Sequence, residues 1–420
     1  MFSVLNKNFS FQTKQAILLY ISTLIGVLLG VLSSIINTHY LVPSDYGDVR
    51  YVQNIISFIA SLLLFGYFQS GSRLLALSDN PTYTGRVKGV MVIILSLSVI
   101  ILCLTVLLVS FFHHSNIPLF RLFLVSLPIC AYPLLLNYVN TTAQGDNQIG
   151  RLSLARSLPI FLYVVISFFL YRSFGASSSL MMLLQWGIYT VVLFFIIIST
   201  KPSFHNLKEV WLELRNENKQ YGIQLYIGSL VMVATNYLAG IFLGVFNTNN
   251  TEVGYYTLAL TVASPLSTLP AIIGTTYFKE FATLPSIPER LMKYTIILTI
   301  ATCFCFVLLI KPLVVFLYSA DYAPVGRYAA FLSVAFCIQG VGDMINRYLG
   351  SHGQGKAIRN SSIANGVFKV FGYTCLVYFF NTNGAIWTTI ICNLIYLLSL
   401  IYYYRLFVKR NSLSNRLHIK

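Results

Sequence analysis

Charge is scarce in this chain, and acid is scarcest. Asp and Glu number 12 among 420 residues, against 28 Lys and Arg, and charged residues make up 10%. Soluble globular domains carry about 25%, so this composition cannot clothe a water-soluble surface, and its 56% hydrophobic content calls for lipid as solvent. Long polar segments are missing too, apart from residues 201–220. A glycan polymerase or ligase working at the outer face therefore has no sizeable loop to hold its chemistry. No phosphate-cradling loop, zinc-ligand spacing or nucleophile elbow occurs. That leaves no nucleotide site to drive transport, no cofactor, no metal and no enzyme. Seven cysteines (Cys103, Cys130, Cys303, Cys305, Cys337, Cys375 and Cys392) all fall inside apolar runs and read as small helix residues.

What the chain does have is apolar runs of membrane-spanning length. Twelve are legible, at 16–37, 50–72, 89–112, 119–141, 152–171, 180–199, 222–246, 254–278, 292–317, 328–349, 360–380 and 384–407. Such runs predict helices rather than a barrel, whose strands alternate over about ten residues. The first run is too long for a cleaved signal and reads as the first span. The formal charge of +16 does not imply a nucleic-acid partner. With a cytoplasmic N-terminus, 22 of the 28 Lys and Arg fall on the cytoplasmic side. Arg50, Arg121, Arg172, Lys311 and Arg327 fall opposite, and Lys369 lies between. The positive-inside rule accounts for this skew and places both termini inside.

The sequence also repeats. Asp45-Tyr46-Gly47 is echoed by Glu252-Val253-Gly254, and the polar residues that follow correspond, Asn54 to Thr261, Ser57 to Ser264 and Ser61 to Thr268. Gln144-Gly145 is echoed by Gln354-Gly355. The expected architecture is all-α and polytopic, with about 12 transmembrane helices in two six-helix lobes related by a parallel pseudo-two-fold repeat. The lobes are 1–200 and 221–420. The mixed-charge stretch 201–220, with Trp211, is a cytoplasmic connector carrying a short surface helix. Two like halves imply a central cavity between them.

Polar stripes at helical spacing face protein or water, not lipid. Span 8 carries Thr257, Thr261, Ser264, Thr268 and Thr275, and span 2 carries Arg50, Asn54, Ser57 and Ser61. Span 1 shows Ser22, Gly26, Gly30, Ser33 and Asn37, and span 7 shows Ser229, Asn236, Gly240 and Gly244. Each stripe either packs helices together or lines a cavity, because small residues also let backbones approach. Pro265 and Pro270 add a kink to span 8. Lys369 is the sharpest residue. It sits about ten residues into span 11, too deep to snorkel, on a stripe with Ser362, Asn365 and Gly372. An unpaired lysine there costs roughly 3 kcal/mol, so it faces a cavity, pairs with a buried charge, or belongs to a helix placed at a different depth. Asp343 shares a face of span 10 with Gln339, Asn346 and Gly350. It either pairs with Arg347 or couples transport to protons or sodium.

The stretch NTHYLVPSDYGDVRYVQNI closes a polar-studded first span with Pro43, Asp45, Tyr46 and Gly47. It resembles the start of bacterial polysaccharide flippases of the O-antigen type, within the multidrug/oligosaccharidyl-lipid/polysaccharide exporter superfamily. TTAQGDNQIGRLSLARSLP at Thr141–Pro159 is similar to their connection between helices 4 and 5. The resemblance implies a flippase of the bacterial inner (cytoplasmic) membrane. Its substrate would be an undecaprenyl-pyrophosphate-linked oligosaccharide (an O-antigen, lipopolysaccharide or capsule repeat unit), crossing by alternating access while the tail stays in membrane lipid. Lys369 and Arg50 would compensate the pyrophosphate or acidic sugars. Asn54, Ser57, Ser61, Thr261, Ser264, Thr268 and Asn365 would line the sugar's path. Polysaccharide polymerase and chain-length proteins are the expected protein partners. The alternative is an ion-coupled multidrug exporter of the same superfamily. Against it, no Asp or Glu lies deep in spans 1–6.

Overall fold

Lipid-length apolar runs leave the backbone few solutions, since every N–H and C=O in hydrocarbon must be paired internally. The computed structural model describes residues 11–78 and 80–417, without the side chains of 11–20, 228, 229, 232, 279 and 411–417. Ser229 of the span 7 stripe thus lies outside the described side chains. The protein is 88% helical, with no strand among the described residues.

The first helices are α1 (Phe11–Tyr40), α2 (Pro43–Leu62), α3 (Tyr67–Ala76), α4 (Pro81–Phe112), α5 (Ile117–Ser126), α6 (Tyr132–Gly145), α7 (Ile149–Phe174) and α8 (Ser178–Ser199). There follow α9 (Leu207–Glu217), α10 (Ile223–Phe246), α11 (Thr251–Ala263), α12 (Pro265–Thr276), α13 (Phe278–Phe281), α14 (Glu289–Leu317), α15 (Ala323–Ser351) and α16 (Gly355–Leu417). Among the described residues nine segments can cross a membrane by length and composition, or ten when the bent pair α2 and α3 counts as one. The last segment runs from Gly355 to Arg410 and breaks at Asn381, where φ is 49°. It therefore forms two limbs of spanning length, one on either side of Asn381. Every run expected from the sequence has a helix, limb or helix pair in its place.

The chain divides into two compact units. One takes the residues up to Leu41 and Val52–Leu230, and the other takes Val42–Tyr51 and Val231–Lys420. The 201–220 stretch falls within the first unit and the opening turns of α2 within the second.

In the first unit α1 packs along α7, α7 on α8, α8 on α6, and α3 on α6. Tyr138 and Phe68 meet edge to face at its centre, both fully buried. Between α2 and α3 the helix bends by 63°. Gly66 takes φ +80°, a conformation that L side chains resist. Three carbonyls at the break find side-chain donors: Tyr226 Oη donates to Leu62 O at 2.8 Å, Ser98 Oγ to Leu63 O at 3.3 Å, and Asn218 Nδ2 to Phe65 O at 3.1 Å. Asn218 opens a single π-helical turn, Asn218–Gly222, directly after α9. The surface helix expected at 201–220 is thus present as α9, and it is anchored. Trp211 stacks on Tyr67, and Arg73 pairs with Glu217 at 2.6 Å.

Lys88 and Asp146 form an ion pair at 2.7 Å, with side chains 8% and 21% exposed. This is closer to a buried pair than a surface one, and removing one partner leaves the other charge poorly solvated. Lys88→Met should lower stability by about 2 kcal/mol, between the surface and fully buried cases. Thermal unfolding in detergent measures it, and Lys88→Met combined with Asp146→Leu should restore most of the loss.

In the second unit α15 is the hub, packed against α11, α12, α14 and α16. Pro265 carries no N–H for Thr261 O, so the expected kink in span 8 falls there and separates α11 from α12. Ser264 Oγ takes the place of the missing N–H, donating to Thr261 O at 3.4 Å. The opening turns of α2 lie against α11 through two glycines. A Cβ on Gly47 would stand 1.8 Å from Asn250 O, and one on Gly254 would stand 2.8 Å from Pro43 O and 3.2 Å from Gly47 Cα. Asn250 Nδ2 fastens the seam to Asp48 Oδ1 at 2.8 Å.

Candidate functional site

The second unit holds a cavity of about 570 Å³ walled by α10, α11, α15 and both limbs of α16. Its first limb brings Lys369 and Asn365 to the wall, one helical turn apart, both buried at 9% and 8% exposure. Gly366 lets that limb press onto α10, where a Cβ would sit 2.1 Å from Val231 Cγ1. This close approach sets Asn236 of α10 opposite Lys369, and Lys369 Nζ donates to Asn236 Oδ1 at 2.9 Å. Among the described residues Lys369 has no acidic partner within ion-pair distance. Asn365 Oδ1 is buried and receives no hydrogen bond. A cation with donor capacity left and an acceptor with none of its capacity used therefore share one wall.

Thr261 of α11 and Ser264, at the junction of α11 and α12, line the same cavity. Their hydroxyl protons are spent on their own helix, at Thr257 O (2.9 Å) and Thr261 O (3.4 Å). What they offer the cavity is acceptor lone pairs. The opposite wall is α15 with Asp343, Gln339 and Asn346. Tyr396 Oη lies 3.4 Å from Asp343 Oδ1 and accepts from Asn346 Nδ2 at 2.6 Å. No ion pair joins Asp343 to Arg347 among the described residues. Arg347 instead runs against α12 at Gly274. The local Asp343–Arg347 pair that spacing allowed is not formed.

Lys369, Asn365, Thr261, Ser264 and Asp343, distant in sequence, therefore meet in one cavity. The other candidates lie elsewhere. Thr268 donates to Pro265 O within α12. Ser61 Oγ donates to Phe58 O at 2.6 Å within α2, where Asn54 and Ser57 are half-buried. Arg50 holds its guanidinium over the Tyr46 ring, 4.8 Å from the centroid. None of these five lines the cavity.

Tyr256, Tyr373, Thr389, Asn393 and Tyr396 also line it and were not singled out by sequence. Tyr256 and Tyr373 share Thr389 Oγ1 at 2.9 and 3.1 Å. Asn393 donates to Ala335 O at 2.9 Å. A signal existed for three of them: Thr389, Asn393 and Tyr396 step by four and three along span 12, as cavity stripes do. The two walls differ in charge, and phenol groups stand between them. Such a site suits a polar ligand rich in hydroxyls and carrying an anionic group near Lys369.

The fold is similar to that of solved multi-pass membrane transporters. It is similar to that of a lipid II flippase, MurJ, in an inward closed conformation, with a TM-score of 0.73 at 16% identity over 93% of this chain and 87% of that one. It is similar also to an inward-facing multidrug resistance MATE family transporter of the MOP superfamily, with a TM-score of 0.66 at 16% identity over 93% and 98%. A third is a MOP superfamily transporter from Pyrococcus furiosus described by the reverse polarity of its binding pocket, with a TM-score of 0.59 at 15% identity over 94% and 95%. No family model and no curated protein matches the sequence.

Proposed function

We propose that this protein is a flippase for an undecaprenyl-pyrophosphate-linked oligosaccharide, an O-antigen, capsule or similar repeat unit, moved from the cytoplasmic to the outer leaflet by alternating access. The observation that carries the reading is Lys369, a buried lysine with no acidic partner among the described residues, in a cavity of hydroxyls, amides and tyrosines. A sugar head in hydrocarbon loses its hydrogen bonds to water, at several kcal/mol for each group left unpaired. A polar cavity replaces those bonds, and a fixed cation offsets phosphate or acidic-sugar charge. The likeness to MurJ, whose name carries a lipid substrate, supports the same class. On this reading the protein sits in the bacterial inner membrane with both termini cytoplasmic, and works beside a polysaccharide polymerase and chain-length proteins. Asp343 is the residue at which proton or sodium coupling would act.

The second reading, an ion-coupled multidrug exporter, is favoured by the MATE likeness and by Asp343 in the same cavity. Lys369 weighs against it, because a buried cation repels a cationic drug.

The test is translocation in liposomes. A short-chain lipid-linked oligosaccharide is loaded, and the protection of its sugar from an external glycosidase is followed. Protein-dependent movement is expected. Asp343→Asn should remove its dependence on an imposed proton or sodium gradient. If no sugar lipid moves while an amphipathic cationic dye does, the exporter reading replaces this one.

A further inference from the structure

A second cavity, of about 480 Å³, opens on the surface of the second unit between the start of α15 and the two limbs of α16. Its walls are apolar, with Phe331, Phe380, Trp387 and Ile391 among them. Phe380 and Trp387 are 61% and 54% exposed, so none of the described residues covers them. Only two polar side chains line it, Arg327 and Asn383. Arg327 makes no ion pair among the described residues. The nearby carboxylate, Glu252, accepts hydrogen bonds from Tyr328 and Thr382 and so is held by those hydroxyls.

From this arrangement we infer a binding site for one anionic glycerophospholipid, with an acyl chain in the groove and the phosphate at Arg327. The occupant follows from charge complementarity. A guanidinium presents several donors to phosphate oxygens, and the Asn383 amide adds one more. Trp387 fits the same geometry, because its indole favours the boundary between chains and head groups. A zwitterionic lipid brings its own ammonium beside Arg327, and like charges disfavour it. The volume lies in the range of specific small-ligand sites. The inference does not depend on what the protein transports.

The experiment uses the full chain with Trp186→Phe and Trp211→Phe, which leaves Trp387 as the one tryptophan, excited selectively at the red edge beyond tyrosine absorption. It is reconstituted with brominated phosphatidylglycerol or brominated phosphatidylcholine at equal low mole fraction. Phosphatidylglycerol should quench Trp387 several-fold more strongly. Arg327→Gln should abolish that preference, and Arg327→Lys should keep part of it. Circular dichroism confirms that each variant is folded. Native mass spectrometry of the unmodified protein should show retained phosphatidylglycerol, which Arg327→Gln loses. Equal quenching by both lipids, or a preference that survives Arg327→Gln, would overturn the inference. So would quenching relieved by a polyprenyl phosphate but not by unbrominated phosphatidylglycerol.

Discussion

Lys369→Met slows sugar-head translocation roughly thirtyfold while the protein stays folded, at normal level and at least as heat-stable as before. The two halves of that expectation come from one geometry. Lys369 is buried at 9% exposure and its visible partner is a neutral amide, Asn236 Oδ1 at 2.9 Å. Replacing a buried charge of this kind with an apolar group of similar volume is often neutral or stabilising. Asn236 is itself exposed, so water can take over its freed oxygen. The transported head has no such substitute. A charge-assisted hydrogen bond to a phosphate or acidic sugar is worth about 2 kcal/mol, or roughly a thirtyfold loss in rate or affinity. The liposome assay reads the first half and thermal unfolding in detergent reads the second. Full translocation by Lys369→Met would remove Lys369 from the site. Lost stability together with lost transport would make it a structural residue.

The largest loss of stability is expected at Gly47. A Cβ there would overlap Asn250 O at 1.8 Å, and that neighbour is backbone, which cannot rotate away. Overpacking of this sort costs typically 1–3 kcal/mol and sometimes more, and Gly47→Val should reach about 3 kcal/mol or beyond. Gly254→Val meets Pro43 O and the Gly47 backbone across the same seam and should behave alike. Gly150→Ala is the internal control. It has nothing within 4 Å of its Cβ position and lies in the first turn of α7. It should be neutral, or stabilising by up to about 1 kcal/mol. Melting curves of the three variants in one detergent decide the matter. Equal losses at Gly47 and Gly150 would mean that the seam does not exist as described.

That seam shows what the sequence could and could not disclose. Gly47 and Gly254 were visible as equivalents, 207 positions apart, yet a repeat says only that two places are alike. That the two equivalents touch is a fact of packing. The helices were legible because the thickness of the hydrocarbon core fixes run length, and Lys369 because a cation has no neutral reason to be so deep. The tyrosines were not. The chain has 28, most explicable as interfacial belt, and nothing local separates Tyr256 and Tyr373 from the others. The spacing of Thr389, Asn393 and Tyr396 was available and resembles that of Thr257, Thr261 and Ser264, but the apolar residues around it masked it. The break before α3 left almost no trace, since Leu62-Leu63-Leu64-Phe65 reads as uninterrupted helix and only Gly66 hints at a turn.

That break has a genetic consequence. Three carbonyls at the break are tied by Tyr226, Ser98 and Asn218, side chains from two separate stretches of chain. Removing any one tie leaves two in place, so the joint is buffered against single hits. Tyr226→Phe, Ser98→Ala or Asn218→Leu alone should pass unnoticed in a growth screen, and the combined variant should not. Ordinary one-at-a-time mutagenesis would therefore score this corner of the protein as dispensable, when it is redundantly secured.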